Sequence, residues 1–210
     1  MSETRQILDS IINSFSTKEF NLFFRKKTQG KFREINQSHH YFDDSDFKNC
    51  LILGEAEFED GKLLVCALEA QKSLSEKSGK KAQYEKAKSI LKSAENQVYS
   101  AGIFIFYDQS GNFRFSLVYP ESIGTRRQWN NFKRFTYFVS SDQANKTFLQ
   151  RIGDGDFSSL ARIKEAFSVE KVTKEFYQDI ANWYFGLFHV VNSQKTQKQK
   201  KTAGILQLFA

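Results

Sequence analysis

Glu69 and Gln71 stand two residues apart in Leu68-Glu69-Ala70-Gln71-Lys72, a run whose strand alternation places both on one face and sends Lys72 out of the other. A carboxylate at such a place, joined by a second one from a neighbouring strand, is the minimum kit for Mg²⁺. That ion prefers oxygen ligands, lowers the pKa of its bound water and neutralises charge on a phosphate under attack. Gln71 can orient a water by hydrogen bonding, but it carries no charge and accepts no proton near neutral pH. Lys72 reaches the Glu69 side only if a bulge rotates it inward.

The second carboxylate has three candidates, and turn geometry discriminates among them. If Asp60-Gly61 forms a two-residue loop, Glu59 pairs with Lys62, Glu69 faces Ile52, and Glu55 and Glu57 fall on the opposite face. A loop of odd length reverses the parity and brings Glu55 beside Ala67 on the Glu69 face. Glu55 is the preferred partner on that register. Asp60 ranks second, although a hairpin tip lies more than about 20 Å from Glu69 at strand rise, and Asp46 ranks third.

The elements that position these residues follow from periodicity. Ile7 to Ile12 has helical spacing, and Ser16 followed by Glu19 is a capping-box signature that opens a second helix through about Lys27. Leu51 to Phe58 and Leu63 to Gln71 read as hairpin strands around Glu59-Asp60-Gly61-Lys62. Lys80 to Val98 is an amphipathic helix with Ala87, Ile90, Leu91, Ala94 and Val98 on its buried stripe. Gly102 to Tyr107 is a buried strand. Phe113, Phe115, Leu117 and Tyr119 alternate along the next one, and Phe135 to Val139 is a further strand. From about Ser141 the pattern turns helical, with Val169, Val172, Phe176, Ile180, Trp183, Leu187 and Val190 tracing one stripe. This divides the chain into an α/β domain over 1–140, a helical connector over 141–191 and a disordered basic tail over 192–210.

The net charge of +7 is local. Lys72, Lys77, Lys80, Lys81, Lys86, Lys88 and Lys92 face only Glu76 and Glu85 in their segment, and outside it and the lysine-rich tail the chain is slightly acidic. Such a patch suits phosphates without reading bases, although a solvated helix face uses the same pattern. Arg126 and Arg127, near Trp129, Lys133 and Arg134, form a second basic aromatic patch. His39-His40 beside Asp43, Asp44 and Asp46 lacks the spacing of a zinc site. Cys50 and Cys66 sit in apolar runs and read as buried free thiols. No apolar run is long enough to span a bilayer and the start lacks a signal-peptide pattern, which points to a cytoplasmic protein without membrane contact.

The order helix, hairpin ending in Glu69-Ala70-Gln71, helix, strand resembles the PD-(D/E)xK nuclease core. In addition, Gly102 to Asp108, Asn112 to Tyr119, Arg134 to Val139 and Ala166 to Tyr177 look like the N-terminal region of type IIG restriction-modification enzymes, the resemblance covering roughly Phe20 to Leu187. It implies a restriction-endonuclease-like mixed sheet flanked by helices, with a C-terminal helical extension. It further implies a Mg²⁺- or Mn²⁺-dependent DNA endonuclease domain acting on double-stranded DNA, or an inert DNA-binding or docking module of a DNA methyltransferase. On this reading Glu55 and Glu69 hold the ion with Asp60 as an alternate, the Ala70 carbonyl assists, and Gln71, or Lys72 if rotated inward, serves the attacking water. Lys77, Lys80, Lys81, Lys88, Arg126 and Arg127 meet nucleic acid. Gln83 resembles a helix glutamine that some members of that superfamily place beside the site. The Asn-Pro-Pro-Tyr methylation motif and the S-adenosylmethionine glycine loop are missing, so the chain reads as truncated before its methyltransferase and target-recognition domains, with the C-terminal helix free to self-associate.

Overall fold

Apolar runs rich in phenylalanine, leucine and isoleucine, buried on both faces, build the centre of the sheet. The computed structural model describes residues 2–123, 126–131, 135–168, 178 and 180–184. Helices α1 (Glu3–Asn13) and α2 (Thr17–Lys27) come first, followed by strands β1 (Phe32–Ser38), β2 (Phe47–Phe58) and β3 (Gly61–Ala70). Next come α3 (Lys80–Lys92), β4 (Ala101–Tyr107), β5 (Phe113–Val118), the small hairpin β6 (Pro120–Ile123) and β7 (Arg126–Trp129), and β8 (Thr136–Val139). The short α4 (Lys146–Phe148), which runs on into a π-helical turn, and α5 (Leu160–Phe167) follow.

Six strands form one sheet in the order β1-β2-β3-β4-β5-β8. Every neighbouring pair is antiparallel except β3 and β4, which run parallel because α3 carries the chain across between them. The result is mixed α/β.

Each face of the sheet has its own core. Val65, Ala67, Ile103, Ile105, Phe113 and Phe115 point to one side, where they meet Leu8 and Ile11 of α1, Phe20, Phe23 and Phe24 of α2, and Ile163 and Phe167 of α5. Leu64, Cys66, Leu68, Phe104 and Phe106 point to the other and pack on Ala87, Ile90 and Leu91 of α3. Burial lifts the thiol of Cys50 to about 12 and that of Cys66 well above the ordinary range, so both stay protonated and unreactive.

Three expectations change. α3 ends at Lys92, so Val98 leaves the buried stripe and is 65% exposed. β2 begins at Phe47, four residues before the apolar run, and β1 precedes it where only a turn and an acidic loop are legible in the sequence. The connector divides, because the chain forms two compact units, Met1–Ser168 and Val169–Ala210. Phe148, Ile152, Phe157, Leu160 and Phe167 are buried in the first unit's core. In the second unit residues 178 and 180–184 are helical, whereas the rest of the expected stripe and the tail over 192–210 lie outside the described residues. Among the described residues no helix is long and apolar enough to cross a membrane.

Candidate functional site

The far end of the β2–β3 hairpin gathers the polar residues. Lys48 is paired with Glu69 and Phe47 with Ala70, while the Gln71 amide donates to the Asp46 carbonyl at 2.9 Å. Phe47 and Ala70 are buried against α3, so Lys48 and Glu69 project to the opposite face, toward the α1 and α2 side. Glu69 is half-buried there, and its Oε2 accepts a 2.6 Å hydrogen bond from Asn49 Nδ2. Burial, then the nearby Glu69 charge, raises the Tyr107 phenol. Asn49 takes φ +52, a left-handed conformation that asparagine tolerates, at a break in register between Lys48 and Leu51. Asp46 is held by Lys72, whose Nζ lies 3.0 Å from Asp46 Oδ1. Gln71 and Lys72 are both exposed.

The expected partnership of Glu55 with Glu69 does not form. The turn is Glu59-Asp60 and not Asp60-Gly61, with Phe58 paired to Gly61 and Glu57 to Lys62. Glu55 therefore sits opposite Leu64, on the α3 face, roughly 16 Å along the strand from Glu69 at ordinary strand rise. Its carboxylate is engaged by Arg33 Nη2 at 2.5 Å and by the Tyr99 hydroxyl at 2.5 Å. Partial burial pushes the Glu55 carboxyl up, but these two donors outweigh it and leave the group below its usual range.

Asp60 also has other work, at the opposite end of β3 from Glu69. Its Oδ1 accepts from the Leu160 amide at 3.0 Å and its Oδ2 from the Ala161 amide at 2.9 Å, capping α5. Slight burial raises its carboxyl, yet the amides outweigh it and hold the group below its ordinary value of 3.8. Asp60→Ala is expected to lower stability by about 1 kcal/mol at neutral pH, read as a fall in urea midpoint. Because the folded-state value is depressed, the cap's contribution is present above the unfolded value and lost as pH falls through the folded one. The difference between Asp60→Ala and the native protein should therefore close below about pH 3.8.

The acidic loop before β2 is occupied in the same structural way. Asp43 accepts from the Cys50 amide at 3.1 Å and faces His40 Nδ1 at 3.1 Å, and Asp44 accepts from the Asp46 and Phe47 amides and pairs with Lys86. Among the described residues no group of three or more His, Cys, Asp or Glu is arranged to hold a metal.

Of the segment's lysines, Lys86 pairs with Asp44, and Lys88 pairs with Glu85 and lies over the Tyr84 ring. Lys77, Lys80 and Lys81 make no ion pair among the described residues, and Lys77 and Lys81 are exposed. Arg126 and Arg127 belong to β7 by their backbone, but their side chains, like Lys133 and Arg134, lie outside the described residues.

Behind the hairpin end, on the α3 side, lies a cavity of about 300 Å³ whose wall includes Asp46, Lys72, Ser73, Ser78 and Gln83. The loop that frames it is fastened twice. Asp108, 4% exposed, accepts from the Leu74 amide at 2.7 Å, and Arg114, 1% exposed, donates through Nη2 to the carbonyls of Ser75 at 2.5 Å and Ser78 at 3.4 Å.

No family model, curated protein or solved structure matches the chain.

Four residues at or around this end have no site role in the sequence pattern as read above: Lys48, Asn49, Asp108 and Arg114. For Arg114 a signal exists. In Phe113-Arg114-Phe115 the arginine occupies the alternate face of a central strand, and a strand covered on both sides buries both of its faces. Asn49 has no comparable signal, because its place depends on the bulge.

Proposed function

We propose that this domain is a Mg²⁺- or Mn²⁺-dependent DNA endonuclease module of the restriction-modification kind, in which Asp46, and not Glu55, is the carboxylate that joins Glu69. The observation that supports this reading most is the meeting of the start of β2 with the end of β3. Asp46 lies across from Gln71 and Lys48 across from Glu69, at one end of an arrangement of helices, three antiparallel strands, crossover helix and parallel fourth strand. Within it the order helix, hairpin, helix, strand is the one on which the PD-(D/E)xK resemblance rests, and β1 is an addition to it.

The donor types suit such an ion. Asp46, held by the Lys72 ammonium on the α3 side, and Glu69, held by the Asn49 amide on the other face, offer hard carboxylate oxygens that are only partly buried. To share one ion, both would have to leave these partners and turn toward each other at the strand ends. When bound, the ion would activate a water and neutralise charge on the scissile phosphate. The Ala70 carbonyl stands between the two functional positions, and Gln71 would orient the attacking water. Lys48, on the Glu69 face, would supply the positive charge that Gln71 lacks. Lys77, Lys80 and Lys81 would hold the backbone of double-stranded DNA. Choice of sequence, and methylation, would fall to methyltransferase and target-recognition modules working with this domain.

The test is nicking of supercoiled plasmid with Mg²⁺ or Mn²⁺. Glu69→Ala and Asp46→Asn should each reduce the rate by about a hundredfold or more, because each removes a ligand of the reacting ion. Cleavage that survives both changes would place the activity elsewhere.

A second reading, a module of the same build that binds DNA without cutting it, is favoured by the hydrogen bond that Asn49 already makes to Glu69. It requires duplex binding with no metal-dependent nicking, and an affinity indifferent to Glu69→Ala.

A further inference from the structure

The wall of the cavity beside α3 presents acceptors that no donor meets. Gln83 lines it at 2% exposure, and its Oε1 is buried without a hydrogen-bond partner among the described residues. A buried acceptor left in this way costs stability unless a donor arrives from elsewhere. The amide is bare toward Gly79, which is also on the wall: a Cβ there would stand 3.3 Å from Gln83 Nε2, and glycine, at φ +79, leaves the approach open. Asp46, a third wall residue, gives one carboxylate oxygen to Lys72 and has no partner for the other among the described residues.

Two acceptors call for a ligand that brings N–H groups, and the surrounding charge says of which kind. A cationic ligand would be repelled by Lys72 on the wall and by Lys77 and Lys81, exposed neighbours in sequence of the wall residues Ser78 and Ala82. The donor is therefore a neutral amino group, and the lysines favour an anionic carrier for it. A side-chain amide offers C=O and NH2 side by side, and its complement is an exocyclic amino group flanked by a ring nitrogen, the arrangement found on adenine. The volume of about 300 Å³ stands at the small end of ligand pockets, and Phe47, Ala70, Leu74 and Ala82 give a flat ring an apolar lining. We propose that this cavity binds the adenine base of a nucleotide, with Gln83 Oε1 accepting from the amino group, Gln83 Nε2 donating to the adjacent ring nitrogen, and Asp46 as the acceptor for the second amino hydrogen. The nucleotide is either free or unpaired in a strand. Nothing in this assignment requires the cleavage proposed above, and nicking plays no part in its test.

The full chain, labelled for amide NMR, is titrated with adenosine and with purine riboside, the same nucleoside without its amino group. Adenosine should shift the amide signals of Ser78 to Gln83, and purine riboside should bind about tenfold more weakly or worse, because it leaves both acceptors unmet. Gln83→Met keeps the volume and removes the amide. It should abolish most of the difference between the two nucleosides and leave Tm equal or higher, since an unpartnered acceptor is lost from a buried place. Gly79→Ala, which sets a methyl group against the same amide, should weaken adenosine as well. Absence of any shift with adenosine, equal affinity of the native chain for the two nucleosides, or an intact difference in Gln83→Met with a lowered Tm would overturn the proposal. Adenosine monophosphate, drawn by the lysines, should bind more tightly than adenosine. A short single strand of deoxyadenosines that displaces it better than a strand of thymidines would keep the site and assign it to an unpaired base in DNA, whereas equal strands would keep it and assign it to the free nucleotide.

Discussion

Phe115→Ala is expected to cost about 3–5 kcal/mol and to lower Tm by on the order of 10 °C. Phe115 is fully buried in the middle of β5, and its ring lies 6.0 Å from Phe20, 6.1 Å from Phe24, 5.6 Å from Phe148 and 5.4 Å from Phe167. Those neighbours come from α2, from α4 and from α5, so no single element can shift to fill the space left behind. A cavity that cannot collapse puts the cost toward the top of the range. Phe115→Leu, which retains most of the volume, should cost markedly less. Denaturant unfolding of both variants measures the difference, and equal losses would show that the specific ring contacts, and not the volume filled, carry the cost.

The second large effect is at Asp108. Its Oδ1 accepts from the amides of Ser110 and Asn112 at 3.0 and 3.1 Å, and its Oδ2 from the Leu74 amide and Asn112 Nδ2 at 2.7 and 3.3 Å. Hydrogen bonds to a charged acceptor contribute about 1.5–3 kcal/mol each, but the Ser110 and Asn112 amides can turn to water when the carboxylate is removed. Asp108→Ala should therefore cost about 3 kcal/mol, mostly through the Leu74 amide and the loop it anchors. Hydrogen exchange at Leu74 should accelerate by more than the global loss of stability accounts for, because the loop is released locally as well. Exchange that tracks global stability alone would mean that Asp108 holds only its own turn and not the wall of the cavity.

Much of the fold is legible in the sequence because its signals are local. The Ser16–Glu19 cap forms as expected, with the Glu19 amide donating to Ser16 Oγ at 3.4 Å. Phe113, Phe115 and Leu117 lie on one buried face of β5, as their alternation requires. The order of helix, hairpin, crossover helix and strand is also as read. The site was less legible, for a specific reason. Register across β2 and β3 breaks twice, between Lys48 and Leu51 and between Ile52 and Gly54, and each break adds a residue that leaves no trace in hydrophobic alternation. Glu55 lies on the turn side of both breaks, and its face follows from the two-residue turn. Counting back from that turn through the breaks, however, misplaces the residue opposite Glu69, which is Lys48 and not Ile52. It also hides Asp46, Lys48 and Asn49, whose strand begins before its apolar run does. β1 escaped notice because Phe32–Ser38 buries only its first residue and carries Asn36 at φ +51, so it lacks the alternation of an inner strand.

The single parallel pairing in the sheet bears on how the molecule assembles. β2 with β3, and β4 with β5, are each closed by short turns and can zip from neighbouring residues, whereas the seam between β3 and β4 must wait for the intervening thirty residues or so to coil and dock. Chain collapse should accordingly proceed as two quick ribbons that join in a slower, rate-limiting step. Mutations along that seam, such as Val65→Ala or Ile103→Ala, should retard refolding more than they hasten unfolding.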